Sequence, residues 1–168
     1  ARVEMVESCR LNERSSLISA SYARQQGDSV LHGVSVGLSA GLMRNEQTVL
    51  LEGRGAENHT NGLTIAGEQE HLDFATDIEH IGSRFPAVNR SSAITRIITL
   101  PLTAAAWNPL ILLRLHQRTQ AFQQNNNLLL SDDAHVYAKP QLEIYADNVK
   151  CSHGATVGQL DPEAIYYM

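Results

Sequence analysis

Residues 30–55, VLHGVSVGLSAGLMRNEQTVLLEGRG, decide the fold class of this chain. Apolar and β-branched residues form short runs at 34–38 and 48–51, and small residues with glycine follow each run, at 39–41 and 53–55. Alternation with a period of two is the signal of a strand with one buried face, whereas glycine-rich corners signal turns. The stretch therefore predicts short strands joined by tight corners.

The same pattern continues on both sides of this stretch. Alternation recurs at 63–65, 71–80 and 141–145, with single Gly, Asn or Asp residues at the corners. Helical periodicity is scarce before Asp161, so we predict an all-β domain. A sandwich, a barrel and a β-helix all fit strands at this spacing. Very short strands, one-residue corners and three asparagines at 125–127, typical of polar stacking between coils, favour the β-helix.

The middle of the chain departs from this pattern. Residues 93–115 lose the Gly and Asp corners and gain prolines and a nearly continuous apolar run. We predict that this stretch is the least regular part of the domain. Pro101 and Pro109 should lie at corners, bulges or edges, because proline cannot donate a ladder hydrogen bond. The same two prolines, with Asn108 and Arg114, interrupt the run too often for a membrane span.

Length and composition limit the domain count and the class of partner. With 168 residues and 43% hydrophobic residues, the chain is long enough for one domain with its own core, so we expect a single domain over 1–168. Asp161 and Pro162 resemble a helix N-cap and first position, and the chain stops at Met168. We therefore expect the start of a C-terminal helix and a domain truncated at both ends.

Charge and cysteine content exclude several functional classes. The net charge is -5 and there is no basic run, which argues against a nucleic-acid partner. The two cysteines, Cys9 and Cys151, are too few for a disulfide framework, so a reducing compartment, the cytoplasm, is predicted.

The sharpest candidate site is Cys151 with His153. A thiolate and an imidazole can both bind a soft or borderline metal, and in an extended strand residues two apart share a face. Alternatively, the histidine could activate the cysteine as a nucleophile. Two ligands are too few for a closed metal site. The pairs His71–Asp73 and Glu79–His80 are interpreted as solvated or corner residues, and Asp132–Asp133 as a turn.

Two blocks of sequence resemble a known family. KPQLEIYAD at 139–147 and KCSHGATVG at 150–158 are similar to the core signature of the SufB/SufD family, closest to its SufD branch. A weaker resemblance covers residues 28–85, through Asn-Gly-Leu at 61–63 and His-x-Asp at 71–73.

The resemblance implies a right-handed parallel β-helix and a scaffold role in iron–sulfur cluster assembly. It implies SufB-like and SufC-like partners, with the ATPase activity in SufC, so this chain is expected to be a non-catalytic subunit. Carried onto this sequence, the family's interface segment marks Cys151 and His153 as ligands of iron or a cluster, held transiently and shared with a partner subunit. A homodimer is the alternative assembly when the chain is alone.

Two other functions remain open from the sequence. A β-helical carbohydrate-active enzyme would use Asp73, Asp77 and Glu79, but one segment supplies all three, and the aromatic content of 5% offers few sugar platforms. A folded but inactive fragment is the third interpretation.

Overall fold

The computed structural model describes residues 1–81, 90–101, 104–114, 118–145, 147–159 and 166. Twelve strands follow one another through these residues. They are β1 Arg2–Arg10, β2 Ser16–Gln25, β3 Val30–Ser39, β4 Leu42–Leu51, β5 Glu57–Ala66, β6 His71–His80, β7 Arg90–Pro101, β8 Ala104–Arg114, β9 Arg118–Leu129, β10 His135–Ala138, β11 Gln141–Tyr145 and β12 Val149–Gln159. The described residues contain no helix with the length and apolar character needed to cross a membrane. The expected helix start at Asp161 lies outside the described residues.

The strands form two parallel sheets. The first has the order β1-β3-β5-β7-β9-β12, and the second has the order β10-β8-β6-β4-β2, with β11 also paired to β8. All ten strand pairings in the described part are parallel. Because successive strands alternate between the sheets, the chain winds as a flattened parallel β-helix. The predicted fold class is confirmed, and the hand of the coil stays a prediction.

The register explains why the sequence shows no exact repeat. Paired residues of successive coils in the first sheet are 28, 27, 35, 28 and 30 positions apart, as in Arg2 with Val30 and Val30 with Glu57. The coils therefore match in space while their lengths vary in sequence.

Most strands are longer than the short runs that the sequence predicted. β4 has 10 residues and includes the polar segment 44–47. Its inward side chains there are paired: Asn45 Nδ2 donates to Glu7 Oε2 at 2.9 Å, and Gln47 Nε2 donates to Ser35 Oγ at 2.9 Å. Because polar side chains occupy part of the interior, apolar alternation stops while the backbone stays extended.

The prediction that residues 93–115 form the least regular part is wrong for the described residues. β7 and β8 continue both sheets without a register shift. An apolar run without corners is also typical of a strand in a parallel sheet. Pro101 is the last residue of β7, as a corner position requires. Pro109 lies inside β8 and pairs with Thr76 of β6 on one side. On the other side of β8, it faces the gap between β10 and β11.

The interior divides into apolar and polar zones along the strands. One buried cluster contains Ala40, Met43, Ala66 and Leu72, and another contains Val49, Leu51, Ala56, Ile78 and Ala121. On β4 the inward residues pass from Met43 through Asn45 and Gln47 to Val49, so the polar zone lies between the two apolar clusters. We call this zone the inner polar strip.

The corners stack as closely as the strands. A Cβ built on Gly53 would lie 2.0 Å from the backbone nitrogen of Gly27, one coil earlier. Asp28 and Gly55 adopt positive φ, at 53° and 73°, as tight corners require. These corners therefore leave no room for a side chain at Gly53.

His80 gives the fold a pH dependence. Its side chain is 1% exposed, and burial lowers its pKa to about 4. The unfolded imidazole has a pKa of about 6.5. Between roughly pH 6.5 and 4 the unfolded state therefore binds more protons than the folded state, and the unfolding free energy decreases as the pH is lowered. From pH 7 to pH 5 this group alone should remove about 2 kcal/mol of unfolding free energy. Urea titrations of the parent and His80→Gln at the two pH values measure it. Equal pH dependence in both proteins would contradict the assignment.

Candidate functional site

β12 is the terminal strand of the first sheet and pairs with β9 alone in the described part of the chain. Cys151 is in register with Ala121, and His153 with Gln123, both of which are buried and point inward. Residues in register on neighbouring parallel strands share a face, so Cys151 and His153 also lie on the inward side. No strand of the second sheet in the described part of the chain follows β12. We call the inward side of β12 the open face.

The predicted grouping of side chains around the pair is confirmed. Val149, Cys151 and His153 share the open face, whereas Lys150 and Ser152 lie on the other side. Cys151 is half-buried and packs against the apolar cluster that contains Ala121, while His153 is exposed. At about 3.3 Å per residue, their Cα atoms are about 6.6 Å apart, close enough for both side chains to reach one ligand.

The strand does not end at the imidazole. β12 runs on to Gln159, and a Cβ on Gly154 would meet nothing within 4 Å. Thr156 helps to hold this second half, because its hydroxyl donates to Asn126 Oδ1 at 3.0 Å and its carbonyl accepts from Asn127 Nδ2 at 2.9 Å. Asn126 and Asn127 therefore form hydrogen bonds to the neighbouring coil, and the open face extends beyond His153.

The open face supplies one sulfur and one nitrogen donor. The described residues contain no group of three or more His, Cys, Asp and Glu side chains arranged to hold a metal. Any iron or cluster on this face therefore needs further donors from outside these residues. Burial raises the pKa of the Cys151 thiol, so a metal that binds there must displace a proton from sulfur.

The second cysteine lies far from the first. Cys9 is on β1, at the opposite end of the first sheet, and both cysteines are free thiols. Burial, and then the neighbouring Glu7, raise the pKa of Cys9. Four strands separate the two thiols, so Cys9 cannot complete a site with Cys151 in one copy of the chain.

The other sequence candidates do not converge. On β6, His71, Asp73, Asp77 and Glu79 alternate with inward residues, whereas His80 points inward. Asp73 forms an ion pair with Arg44, and burial together with Glu79 raises the pKa of Asp77. Since the three carboxylates follow one another along a single strand, they do not form a catalytic pair across a groove.

The acidic pair at 132–133 lies in a turn, as predicted, closed by a hydrogen bond from the amide of Ala134 to the carbonyl of Ser131. Asp132 has a further role that the sequence did not reveal. Its Oδ1 accepts a hydrogen bond from Gln159 Nε2 at 2.7 Å, which fastens the end of β12. The residues are 27 positions apart, so only the register brings them together.

Comparison with known proteins places this geometry in a family. A sequence model described as SUF system FeS cluster assembly, SufBD core domain, matches residues 1–168. The iron–sulfur cluster assembly protein SufD of Escherichia coli is 37% identical over 132 residues, which are 78% of this chain and 30% of that protein. A SufBD family protein of Synechocystis is 54% identical over 52 residues, 31% of this chain and 12% of the relative. One from Mycobacterium bovis is 29% identical over 156 residues, 90% of this chain and 39% of the relative.

The chain thus spans well under half the length of these curated relatives. The match to the core domain covers every residue of the chain, and the parallel β-helix agrees with the fold that the sequence blocks at 139–147 and 150–158 imply. The chain belongs to the SufBD core domain family of the SUF system for iron–sulfur cluster assembly.

Proposed function

We propose that this chain is the β-helical core of a scaffold subunit that assembles iron–sulfur clusters together with SufB-like and SufC-like partners. The observation that supports it best is the open face of β12, where Cys151 and His153 lie on the same side of one strand. The chain acts as a non-catalytic subunit in the cytoplasm, and the partner complex supplies the ATPase.

Iron or a cluster is the cargo of this scaffold. One thiolate and one imidazole give two of the donors that a tetrahedral iron site needs, so the partner subunit supplies the others across the open face. Binding by this chain alone is weak for that reason, and the raised pKa of Cys151 weakens it further at neutral pH. The cargo is therefore held transiently and shared between two subunits.

The open face also carries an exposed apolar side chain that a second chain could cover. Val157 is 58% exposed there, in register with the buried Asn127. Burying such a side chain on association is favourable by roughly 25 cal/mol per Å² of apolar surface. When SufB-like protein is absent, two copies of this chain cover each other's open faces, and the result is a homodimer.

Co-purification tests the proposal. The tagged chain, co-expressed with SufB-like and SufC-like proteins, should retain both, and the complex should contain iron and acid-labile sulfide. Val157→Asp places a charge on the open face and should reduce retention of the SufB-like protein, whereas the similarly shaped Val157→Thr should retain it. If the parent chain retained neither partner, it would be a folded but inactive fragment and the proposal would fail.

A further inference from the structure

Two histidines outside the open face lie side by side on the outer surface of the first sheet. His32 on β3 and His59 on β5 are in register, and their rings stack with centroids 4.5 Å apart at an interplanar angle of 24°. Their sequence neighbours Gly33 and Thr60 are buried, so the two imidazoles point away from the interior. We call them the histidine pair.

The surroundings of the histidine pair are acidic. Glu57 Oε2 lies 3.8 Å from His59 Nε2, and Glu4 on β1 is in register with His32 on its other side. Part of the charge of Glu4 is offset by Arg2, whose guanidinium donates to it at 2.9 Å. Carboxylates beside two imidazoles raise the local attraction for a cation.

We infer that the histidine pair is a second metal site, specific for a borderline divalent cation such as Zn²⁺ or Cu²⁺. Two imidazole nitrogens bind such a cation at about 2.0 to 2.1 Å, which requires the nitrogens to approach to about 3.3 Å. Adjacent strands are about 4.8 Å apart, and partly exposed rings can rotate out of the stack to reach that separation.

The coordination is completed by water. The described residues offer no group of three or more metal-binding side chains, so the pair provides two protein ligands and Glu57 acts through its charge. Imidazole favours Cu²⁺ and Zn²⁺ over Mg²⁺ and Ca²⁺, which prefer oxygen ligands. The site is independent of the open face: His59 lies on the outer side, three strands from β12 in the sheet order.

The chain provides a matched control pair. His71 and His135 both lie in register with Ala104, on the two sides of β8, and neither is buried. The intervening strand holds their Cα atoms about 9.6 Å apart, twice the spacing of adjacent strands, so a shared cation would require both side chains to lean across β8. The two pairs thus differ in spacing but not in residue type.

Zinc titration tests the inference in a background that removes both thiols and the imidazole of the open face, Cys9→Ser, Cys151→Ser and His153→Ala. Isothermal titration with Zn²⁺ should show one saturable site per chain. His32→Ala or His59→Ala should each weaken binding at least about tenfold, and Glu57→Gln should weaken it about two- to fivefold. The double variant His71→Ala/His135→Ala should bind as the background does, with circular dichroism confirming that each variant is folded.

Three outcomes would overturn the inference: no saturable Zn²⁺ binding, binding that survives removal of either member of the histidine pair, or binding lost equally in the control variant. Because the background already lacks Cys151 and His153, none of these outcomes bears on the cluster-assembly role. The cluster-assembly role is tested separately, by the iron and sulfide that the partner complex retains. The result of that test does not change the interpretation of the zinc titration.

Discussion

Replacing Cys151 by Ser and His153 by Ala together is expected to lower the iron and sulfide held by the complex with SufB- and SufC-like partners about tenfold or more. In the proposed shared site, this substitution removes both donors of the open face, so the donors expected from a partner are left without counterparts. The fold should survive, because Cys151 is only half-buried, His153 is exposed, and neither change opens a large cavity. Iron and acid-labile sulfide per complex are measured, with urea unfolding of the isolated variant beside them.

The opposite side of the same strand supplies the control for that experiment. Lys150 and Ser152 alternate with the two candidate ligands and point outward. Lys150→Ala/Ser152→Ala should leave the iron and sulfide content at the parental level. If the Cys151/His153 variant also assembled clusters at the parental level, the site assignment would be wrong and only the scaffold role would remain. If it unfolded, Cys151 would be a structural residue of the core.

Gly53→Ala is expected to destabilise the fold by about 3 kcal/mol. The new methyl group would lie 2.0 Å from the nitrogen and 2.4 Å from the Cα of Gly27. Both atoms belong to backbone that stacks one coil earlier, so relief requires two corners to separate and cannot come from rotation of a side chain. The midpoint of urea unfolding, with the slope of the transition, measures the loss.

Gly154→Ala is the matched substitution in open surroundings. A Cβ there meets nothing within 4 Å, and the residue lies in an extended strand. Alanine restricts the unfolded chain, so the unfolding free energy should be unchanged or rise by roughly 0.5 kcal/mol. Equal destabilisation by the two changes would mean that steric stacking at Gly53 is not the cause.

The sequence predicts strands correctly where apolar and polar residues alternate. Residues 63–65 and 141–145 alternate and lie in β5 and β11, although the buried residue of the first stretch is Thr64 and not an apolar one. The prediction failed where polar side chains point inward, as Asn45 and Gln47 do, since their partners Glu7 and Ser35 are 38 and 12 positions away. The prediction of irregular structure for residues 93–115 also failed, in β7 and β8. An apolar run by itself does not show which neighbouring strands will pair with it.

The candidate site was predictable only in its local part. Alternation places Cys151 and His153 on one face, and the structure agrees. The pairing of β12 with β9 is a property of the register, which the local pattern does not show.

The inner polar strip determines the register in which neighbouring coils pair. A slip of one residue between neighbouring strands would turn every inward side chain outward. A slip of two would keep the faces but carry Asn45 and Gln47 away from Glu7 and Ser35, and each buried amide left unpaired costs about 1–3 kcal/mol. A solenoid with a uniformly aliphatic interior has no such penalty, so its coils can pair in several registers. The buried amides Asn45 and Gln47 therefore disfavour pairing in the wrong register while this protein folds.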